Sequence, residues 1–100
     1  MVKHIVLMKL KEYESKTHKL ENALALKKAL EELKDKIAEI RNLEVGLNFC
    51  EKEQAYDLAL VTEFDTVDDL EIYRLHPEHK KVLVFLHSVT SNRVVVDYQI

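Results

Sequence analysis

The first patterned segment runs from Val2 to Leu10 and alternates between two apolar faces. One face is built from the even-numbered positions Val2, His4, Val6, Met8 and Leu10. The other face carries Ile5 and Leu7. Because side chains alternate across a strand, a strand that is apolar on both sides must be covered on both sides. The pattern predicts a strand on which His4 points inward, either as a core histidine tied by one hydrogen bond or as a pocket residue.

The second segment, from about His18 to Ile40, is amphipathic. Its apolar positions recur at alternating spacings of three and four, at Ala23, Leu26, Leu30, Leu33, Ile37 and Ile40. That period is typical of a helix with one buried stripe. Ser15 and Thr17 precede the stripe and belong to the residue types that cap helices. We expect one long helix lying on a sheet, with the intervening lysines and glutamates in solvent.

Two further runs, residues 43–49 and 55–64, predict a hairpin. The first is a strand pattern interrupted by Gly46, where we expect a bulge or a bend. The second is clearer, and one of its faces is formed by Tyr56, Leu58, Leu60, Thr62 and Phe64. Its opposite face carries Ala59 and Val61. The short polar stretch between the two runs suits the turn of an antiparallel pair.

The next part of the chain predicts two short helices. Asp65 or Thr66 caps the first, on which Tyr73 falls at or near the buried side. Pro77 starts the second, because its fixed φ and missing N–H suit a first helical turn. The apolar stripe of this second helix consists of Val82, Phe85, Leu86 and Val89. His79 lies one turn before that stripe and on the same side, so it is expected to face inward.

The last strand is expected at residues 93–98. Its two faces are Val94, Val96 and Tyr98 on one side, and Arg93, Val95 and Asp97 on the other. The complete order of elements is βαββαβ, with the second helical region divided in two. This order is typical of a ferredoxin-like α+β fold, in which helices cover one face of a four-stranded antiparallel sheet.

The face of the sheet without helices is predicted to be apolar. It would carry Ile5, Leu7, Ala59, Val61 and Val95. An apolar patch of this kind on a soluble protein usually marks an interface. We therefore expect a two-fold homodimer in which two sheets close into a barrel-like core.

The composition narrows the class of protein. With 100 residues, of which 47% are hydrophobic and 33% charged, the chain is expected to form one globular domain over residues 1–100. A net charge of −3 argues against nucleic acid as a partner. The apolar runs are too short to span a membrane, and the first residues lack the features of a signal peptide. The lone Cys50, expected to be packed or at an edge, cannot form an internal disulfide and favours a cytoplasmic location.

The candidate chemistry lies in the stretch from Tyr73 to His79, which contains the only proline of the chain. A helix–corner–helix arrangement can hold a phenol and an imidazole in a fixed relation. His76 is expected at the corner and His87 at the surface. Because His76 and His79 straddle the helix start without a cysteine or acid cluster, we expect no metal site. The single glycine excludes a glycine-rich phosphate loop.

Three motifs carry a family resemblance. They are the opening Val-Lys-His-Ile-Val-Leu, the Tyr-x-x-His-Pro-x-His of residues 73–79 and the closing Val-Val-Asp-Tyr. Together they resemble the stress-responsive A/B barrel domain family, whose fold is a dimeric α/β barrel. The resemblance includes plant polyketide cyclases of the olivetolic acid cyclase type, which close a linear polyketide by aldol condensation without a metal or an organic cofactor.

The resemblance also implies site residues. The tyrosine and histidine used by the cyclases correspond to Tyr73 and His79, which would be the catalytic residues of this chain. His4 would line the ligand-binding pocket, with Asp97 near the same network, and Val6, Met8 and Leu58 would complete it. Leu58 stands where the cyclases have a further histidine on their third strand. The first helix has Ala23, Leu24, Leu26 and Lys27 where the cyclases bring aromatic residues to the pocket, so the cavity is expected to have a different shape.

Two functions are consistent with these features. In the first, the chain is a family member of unassigned activity, a homodimer with a small-molecule pocket between helices and sheet and a binding or stress-associated role. In the second, it is a cofactor-independent cyclase or lyase acting on a small carbonyl or polyketide-like substrate. There, neutral His79 would remove a proton next to the carbonyl, and the Tyr73 O–H would stabilise the oxyanion.

Overall fold

The computed structural model describes residues 1–12 and 15–100. Within these residues the elements are β1 (Val2–Leu10), α1 (Lys16–Lys36), β2 (Asn42–Leu47), β3 (Leu58–Phe64), α2 (Val67–Leu75), α3 (Pro77–Val89) and β4 (Thr90–Gln99). The strands form one sheet in the order β2-β3-β1-β4, and every neighbouring pair is antiparallel. The predicted ferredoxin-like arrangement is confirmed. None of the helices in the described ranges combines the length and the hydropathy that crossing a bilayer requires.

The two faces of the sheet differ in what covers them. Along β1 the even positions are buried and the odd positions are partly or fully exposed, and β3 also alternates between buried and partly exposed positions. Helices pack on the buried face, where the core includes Met8, Leu26, Leu30, Leu33, Leu58, Leu60 and Phe64. Burying one such side chain contributes roughly 1.5–3 kcal/mol, so this layer is the main source of stability.

Helix α1 is shorter than its apolar pattern predicts. Ser15 caps it by accepting a hydrogen bond from the His18 N–H at 3.4 Å. The helix ends at Lys36, because Ile37 adopts an extended backbone with φ −122° and ψ 106°. Ile37 and Ile40 are nevertheless 0% and 3% exposed. The helical spacing of these two residues therefore reflects packing in the core beyond the end of the helix.

The hairpin of β2 and β3 is regular. Gly46 pairs with Ala59 in an uninterrupted register, so the expected bulge or bend at Gly46 is wrong. β3 begins at Leu58 rather than at Ala55. The reason is that the Ala55 N–H closes a turn by donating to the Lys52 carbonyl at 3.0 Å.

The loop after β2 contains Cys50. The Asn48 side-chain oxygen accepts a hydrogen bond from the Cys50 N–H at 2.8 Å, and the Asn48 amide donates to the Cys50 carbonyl at 2.7 Å. This local turn ends β2 at Leu47, two residues before the predicted end at Phe49. Cys50 is exposed, so of the two expected environments, packed or at an edge, the packed one is wrong.

Strand β4 corrects the predicted composition of the two faces. In an antiparallel pair, directly opposite residues lie on the same face. Val95 is opposite Val6 and therefore faces the helices, so its predicted place on the open face is wrong. Val94, opposite Leu7, and Val96 occupy the open face instead. β4 is also longer than predicted, because its pairing with β1 continues past a register shift near its start.

Candidate functional site

A cavity of about 410 Å³ lies between the corner of α2 and α3 and the helix-covered face of β1, β3 and β4. Its wall is largely apolar and includes Val6, Leu30, Leu60, Val82, Leu86 and Val95. Five polar side chains complete it, namely His4, Tyr73, Arg74, His79 and Arg93. A mostly apolar cavity of this size with a few convergent polar groups is typical of a small-molecule site.

The corner that positions these groups is built by His76 and Pro77. The backbone N–H of His76 donates to the Tyr73 carbonyl at 3.2 Å and closes α2. The His76 side-chain Nδ1 accepts a hydrogen bond from the Glu78 N–H at 3.1 Å and caps α3, with Pro77 as the first helical residue. His76 thus connects two helices and does not line the cavity, in agreement with its predicted place at the corner.

Tyr73 is fully buried, with 0% exposure. Its ring lies 4.2 Å from that of His79, 5.2 Å from that of Phe64 and 5.9 Å from that of His4, between ring centroids. Its hydroxyl makes no hydrogen bond to any described residue. Burial raises the pKa of the Tyr73 phenol well above its ordinary value, so the group remains a neutral O–H donor.

His79 is held in one tautomer. Its Nδ1 lies 3.2 Å from the Arg74 carbonyl, and a carbonyl oxygen only accepts, so Nδ1 carries the proton and Nε2 is left unprotonated. Burial is the main cause that lowers the pKa of His79, and the nearby His4, Arg93 and Arg74 lower it further. The hydrogen bond to the Arg74 carbonyl acts in the opposite direction. His79 is therefore a neutral imidazole near neutral pH, and its Nε2 makes no hydrogen bond to a described residue.

Asp97 links three elements beside the cavity. One carboxylate oxygen bonds to Nδ1 of His4, and the other accepts a hydrogen bond from the Arg74 guanidinium at 2.5 Å. Arg74 also lies 3.5 Å from the Glu71 carboxylate on its own helix. Asp97 thereby ties β4 to β1 and to α2. His4 combines both predicted environments, because it has a fixed hydrogen-bond partner and also lines the cavity.

The structure does not bring together all of the residues predicted for the pocket. Met8 and Leu58 face each other across the β1–β3 pair and are 0% and 2% exposed in the core, away from the cavity wall. Asp97 lies beside the wall and contacts two of its residues, His4 and Arg74.

Among the described residues, no group of three or more histidine, cysteine or acidic side chains is arranged to hold a metal ion.

A family model for the stress responsive A/B barrel domain matches residues 2–100. The chain belongs to this family. The match extends over all three motifs on which the sequence resemblance depends, and the resemblance is confirmed. No curated protein is significantly similar to the chain in sequence.

Solved structures share the architecture of this A/B barrel domain. A dimeric protein of unknown function with a ferredoxin-like fold from Bacteroides fragilis is 40% identical, with a TM-score of 0.89 over 99% of this chain and 95% of that one. A dimeric ferredoxin-like protein of unknown function from Thermobifida fusca is 25% identical, with a TM-score of 0.80 over 99% and 90%. The hydroxynitrile lyase of Passiflora edulis is 18% identical, with a TM-score of 0.79 over 99% and 92%, a likeness in fold.

Two polar cavity residues of this A/B barrel domain are not among the site residues predicted from its sequence. Arg93 enters the wall from β4 and Arg74 enters from α2. The alternation along β4 predicts that Arg93 shares a strand face with Asp97. Only the register of β4 against β1 decides whether that face meets the helices. Arg74 sits in the Tyr-x-x-His-Pro-x-His motif itself, directly after Tyr73, and its link to Asp97 is a contact between distant parts of the chain.

The lowered pKa of His79 predicts a pH-dependent stability. In the unfolded chain the imidazole titrates near its ordinary value of 6.5, whereas the folded state resists protonation. The contribution of neutral His79 to the free energy of unfolding is therefore complete above the pKa that His79 has in the unfolded chain. It is lost as pH falls through the pKa of His79 in the folded protein. Between about pH 7.5 and about pH 5, the free energy of unfolding measured with urea should decrease less for His79→Gln than for the wild type.

The control is His87→Gln, which changes an exposed histidine of the same helix and should behave like the wild type. An equal loss in all three proteins would contradict the prediction.

Proposed function

We propose that this A/B barrel domain binds a small, largely apolar molecule that carries a carbonyl or similar acceptor, in the cavity at the α2–α3 corner. The protein would have a binding or stress-associated role. One observation carries the proposal: Tyr73 lines a largely apolar cavity, and its buried hydroxyl has no hydrogen-bond partner among the described residues.

The energetic cost of a buried hydroxyl without a hydrogen bond supports the proposal of a ligand acceptor at Tyr73. Buried polar groups in proteins are almost always hydrogen-bonded, and leaving one without a partner costs about 1–3 kcal/mol. A ligand acceptor that reaches the Tyr73 O–H removes this cost at the moment of binding. The aliphatic side chains around it, such as Leu60 and Leu86, would contact the apolar body of the ligand.

Tyr73→Phe should separate stability from binding. Without ligand, the variant should be as stable as the wild type or up to about 1–3 kcal/mol more stable, because it lacks an unpaired buried hydroxyl. Acetophenone should bind the variant about five-fold more weakly, which corresponds to one neutral hydrogen bond. Ethylbenzene, which has the same shape without the acceptor, should bind both proteins equally. Both ligands can be followed by protein NMR shifts and urea unfolding.

Tyr56→Phe is a suitable control, because the Tyr56 hydroxyl already accepts a hydrogen bond from the Asn92 side chain at 2.7 Å. This variant should lose a little stability and keep the affinity for both probes. If Tyr73→Phe instead lowers the stability and binds acetophenone like the wild type, Tyr73 has a purely structural role and the proposal fails.

A second candidate function is cofactor-independent proton transfer next to a carbonyl. It is favoured by the tautomer of His79, whose Nδ1–H donates to the Arg74 carbonyl while Nε2 is unprotonated and has no partner among the described residues. The Tyr73 ring packs 4.2 Å from the imidazole, so an acid and a base meet at one end of the cavity. His79 would act as the base and Tyr73 as the oxyanion donor.

We also infer that two copies of the chain pair through the open face of the sheet. Two apolar rows cross β3, β1 and β4, formed by Ala59, Leu7 and Val94 and by Val61, Ile5 and Val96. Burying these side chains would contribute roughly 1.5–3 kcal/mol for each of the larger ones. At one end of this face lies a groove of about 330 Å³ bordered by Phe49, which is 97% exposed. The Bacteroides and Thermobifida proteins, described as dimeric, support this inference.

We propose a cytoplasmic location for the protein. It is supported by the exposed Cys50, which has no second cysteine in the sequence to pair with. Residues 1–100 would act as one domain.

The site as proposed needs neither a metal nor an organic cofactor, because the acceptor of the ligand, the Tyr73 hydroxyl and the His79 imidazole suffice for both candidate functions.

A further inference from the structure

Arg93 is a charged residue on the helix-covered face of the sheet. It lies opposite Met8 in the β1–β4 pair, and Val95 follows it on the same face opposite Val6. The cavity wall includes Arg93 together with Val82 and other aliphatic side chains of α3. Arg93 is exposed in the single chain, so its guanidinium remains hydrated and is accessible at the cavity wall. Its planar donors can pair there with an anionic ligand.

No such partner is present within the described part of the chain. The Arg93 guanidinium makes no ion pair and no side-chain hydrogen bond there, and the described wall of the cavity contains no acidic residue. Beside the site, the Asp97 carboxylate is already shared between His4 and Arg74, and the Glu71 carboxylate also lies against Arg74. Arg74 is thereby neutralised, whereas Arg93 is not.

We propose that Arg93 makes the cavity specific for ligands that carry a carboxylate next to an apolar body. This inference rests on the proposed function and names the class of ligand that the same site takes. The carboxylate pairs with Arg93 at the β4 side of the cavity. The apolar body extends toward Leu60 and Leu86, and a second acceptor reaches the Tyr73 hydroxyl.

The charge distribution favours an anion over a neutral or cationic ligand. Arg93 brings a positive charge to the wall that no described carboxylate neutralises, and it is one of the groups that lower the pKa of His79. An arginine offers planar, paired N–H donors that match the two oxygens of a carboxylate. A ligand amine would meet the same positive field and would be excluded.

Three probes of one shape test the charge preference: 3-phenylpropanoate, 3-phenylpropan-1-ol and 3-phenylpropylamine. Wild-type protein titrated by calorimetry should bind the carboxylate about ten-fold more tightly than the alcohol, as expected for a charge-assisted pair. The amine should bind most weakly. In Arg93→Met the preference for the carboxylate should disappear while the affinity for the alcohol stays the same. Arg93→Lys should retain part of the preference, because lysine keeps the charge without the planar pair of donors.

Lys28→Met is the matched control, since it removes one positive charge from an exposed position of α1 outside the cavity wall. It should keep the wild-type preference. Added salt should weaken binding of the carboxylate and leave the alcohol unchanged.

Three results would overturn the inference. Equal binding of carboxylate and alcohol by the wild type would leave the proposed binding function standing and remove the role of Arg93. Loss of the dimer in Arg93→Met, seen by light scattering, would assign Arg93 to the interface. Failure of all three probes to bind the wild type would contradict the proposed function and this inference together.

Discussion

Leu7→Glu is expected to convert the proposed dimer into monomers. Leu7 lies in the middle of one apolar row of the open face, between Ala59 on β3 and Val94 on β4. In a two-fold interface the substitution occurs twice, so two carboxylates would be moved from water into an apolar contact. At several kcal/mol for each charge, the dissociation constant should rise by about a thousand-fold or more. Light scattering at micromolar concentration should change from twice the chain mass of 11.7 kDa to that mass itself.

The control for this prediction is Leu24→Glu, which introduces the same charge at an exposed leucine of α1. It should remain dimeric. Circular dichroism should show the same helix and strand content for both variants, because Leu7 is 39% exposed in the single chain and its replacement leaves the core intact. A wild-type mass equal to one chain, or a dimeric Leu7→Glu, would refute pairing through this face.

His79→Ala and His79→Gln are expected to abolish exchange of deuterium into acetophenone if the second candidate function holds. In D₂O, Nε2 of His79 would take a proton from the methyl carbon. The C–H electron pair would form the C=C bond of an enolate, and the C=O π pair would move to the carbonyl oxygen. That oxygen would accept a hydrogen bond from the Tyr73 hydroxyl. The proton on Nε2 would exchange with D₂O, and Nε2 would return a deuteron to carbon as the C=O bond re-forms. Removing the base should lower the rate by about 100-fold or more. NMR of the methyl signal measures the exchange.

The same reaction has a pH signature. Only neutral His79 can accept the proton, so the rate should fall as pH drops below the pKa of His79, which lies below its ordinary value of 6.5. His87→Gln should retain the wild-type rate. Wild-type exchange no faster than that of buffer, with acetophenone still bound, would leave the protein as a binding module without turnover.

Much of the fold could be predicted because local pattern and burial agree. The alternation along β1 predicts its buried face, and the capping residues Ser15 and Thr66 act where the sequence indicates a helix start. Boundaries were less predictable. Ile37 and Ile40 keep the spacing of a helix although α1 has ended, since a core needs apolar side chains whatever the backbone conformation. Gly46 resembles a bulge signal but lies in a regular ladder.

The candidate site was predictable in its central residues and less so in its surroundings. Tyr73 and His79 lie on one apolar side of neighbouring helices, and helical phase alone places them near the sheet. The residues that complete the cavity come from strands distant in sequence. Val6 lines the cavity and Met8 is buried in the core outside it, although both lie on the same face of β1, and no local pattern distinguishes the two.

The sequence by itself determined the order of elements, the corner at Pro77 and the inward side of His4, Tyr73 and His79, because these follow from periodicities of two and 3.6 residues and from the chemistry of proline. Tertiary structure alone decided which face of β4 meets the helices. Shifting the β1–β4 register by one residue would exchange Val95 for Val94 and turn Arg93 away from the cavity. It also decided that Asp97 is shared by His4 and Arg74, whereas Arg93 has no ion pair and the buried Tyr73 hydroxyl no hydrogen bond among the described residues.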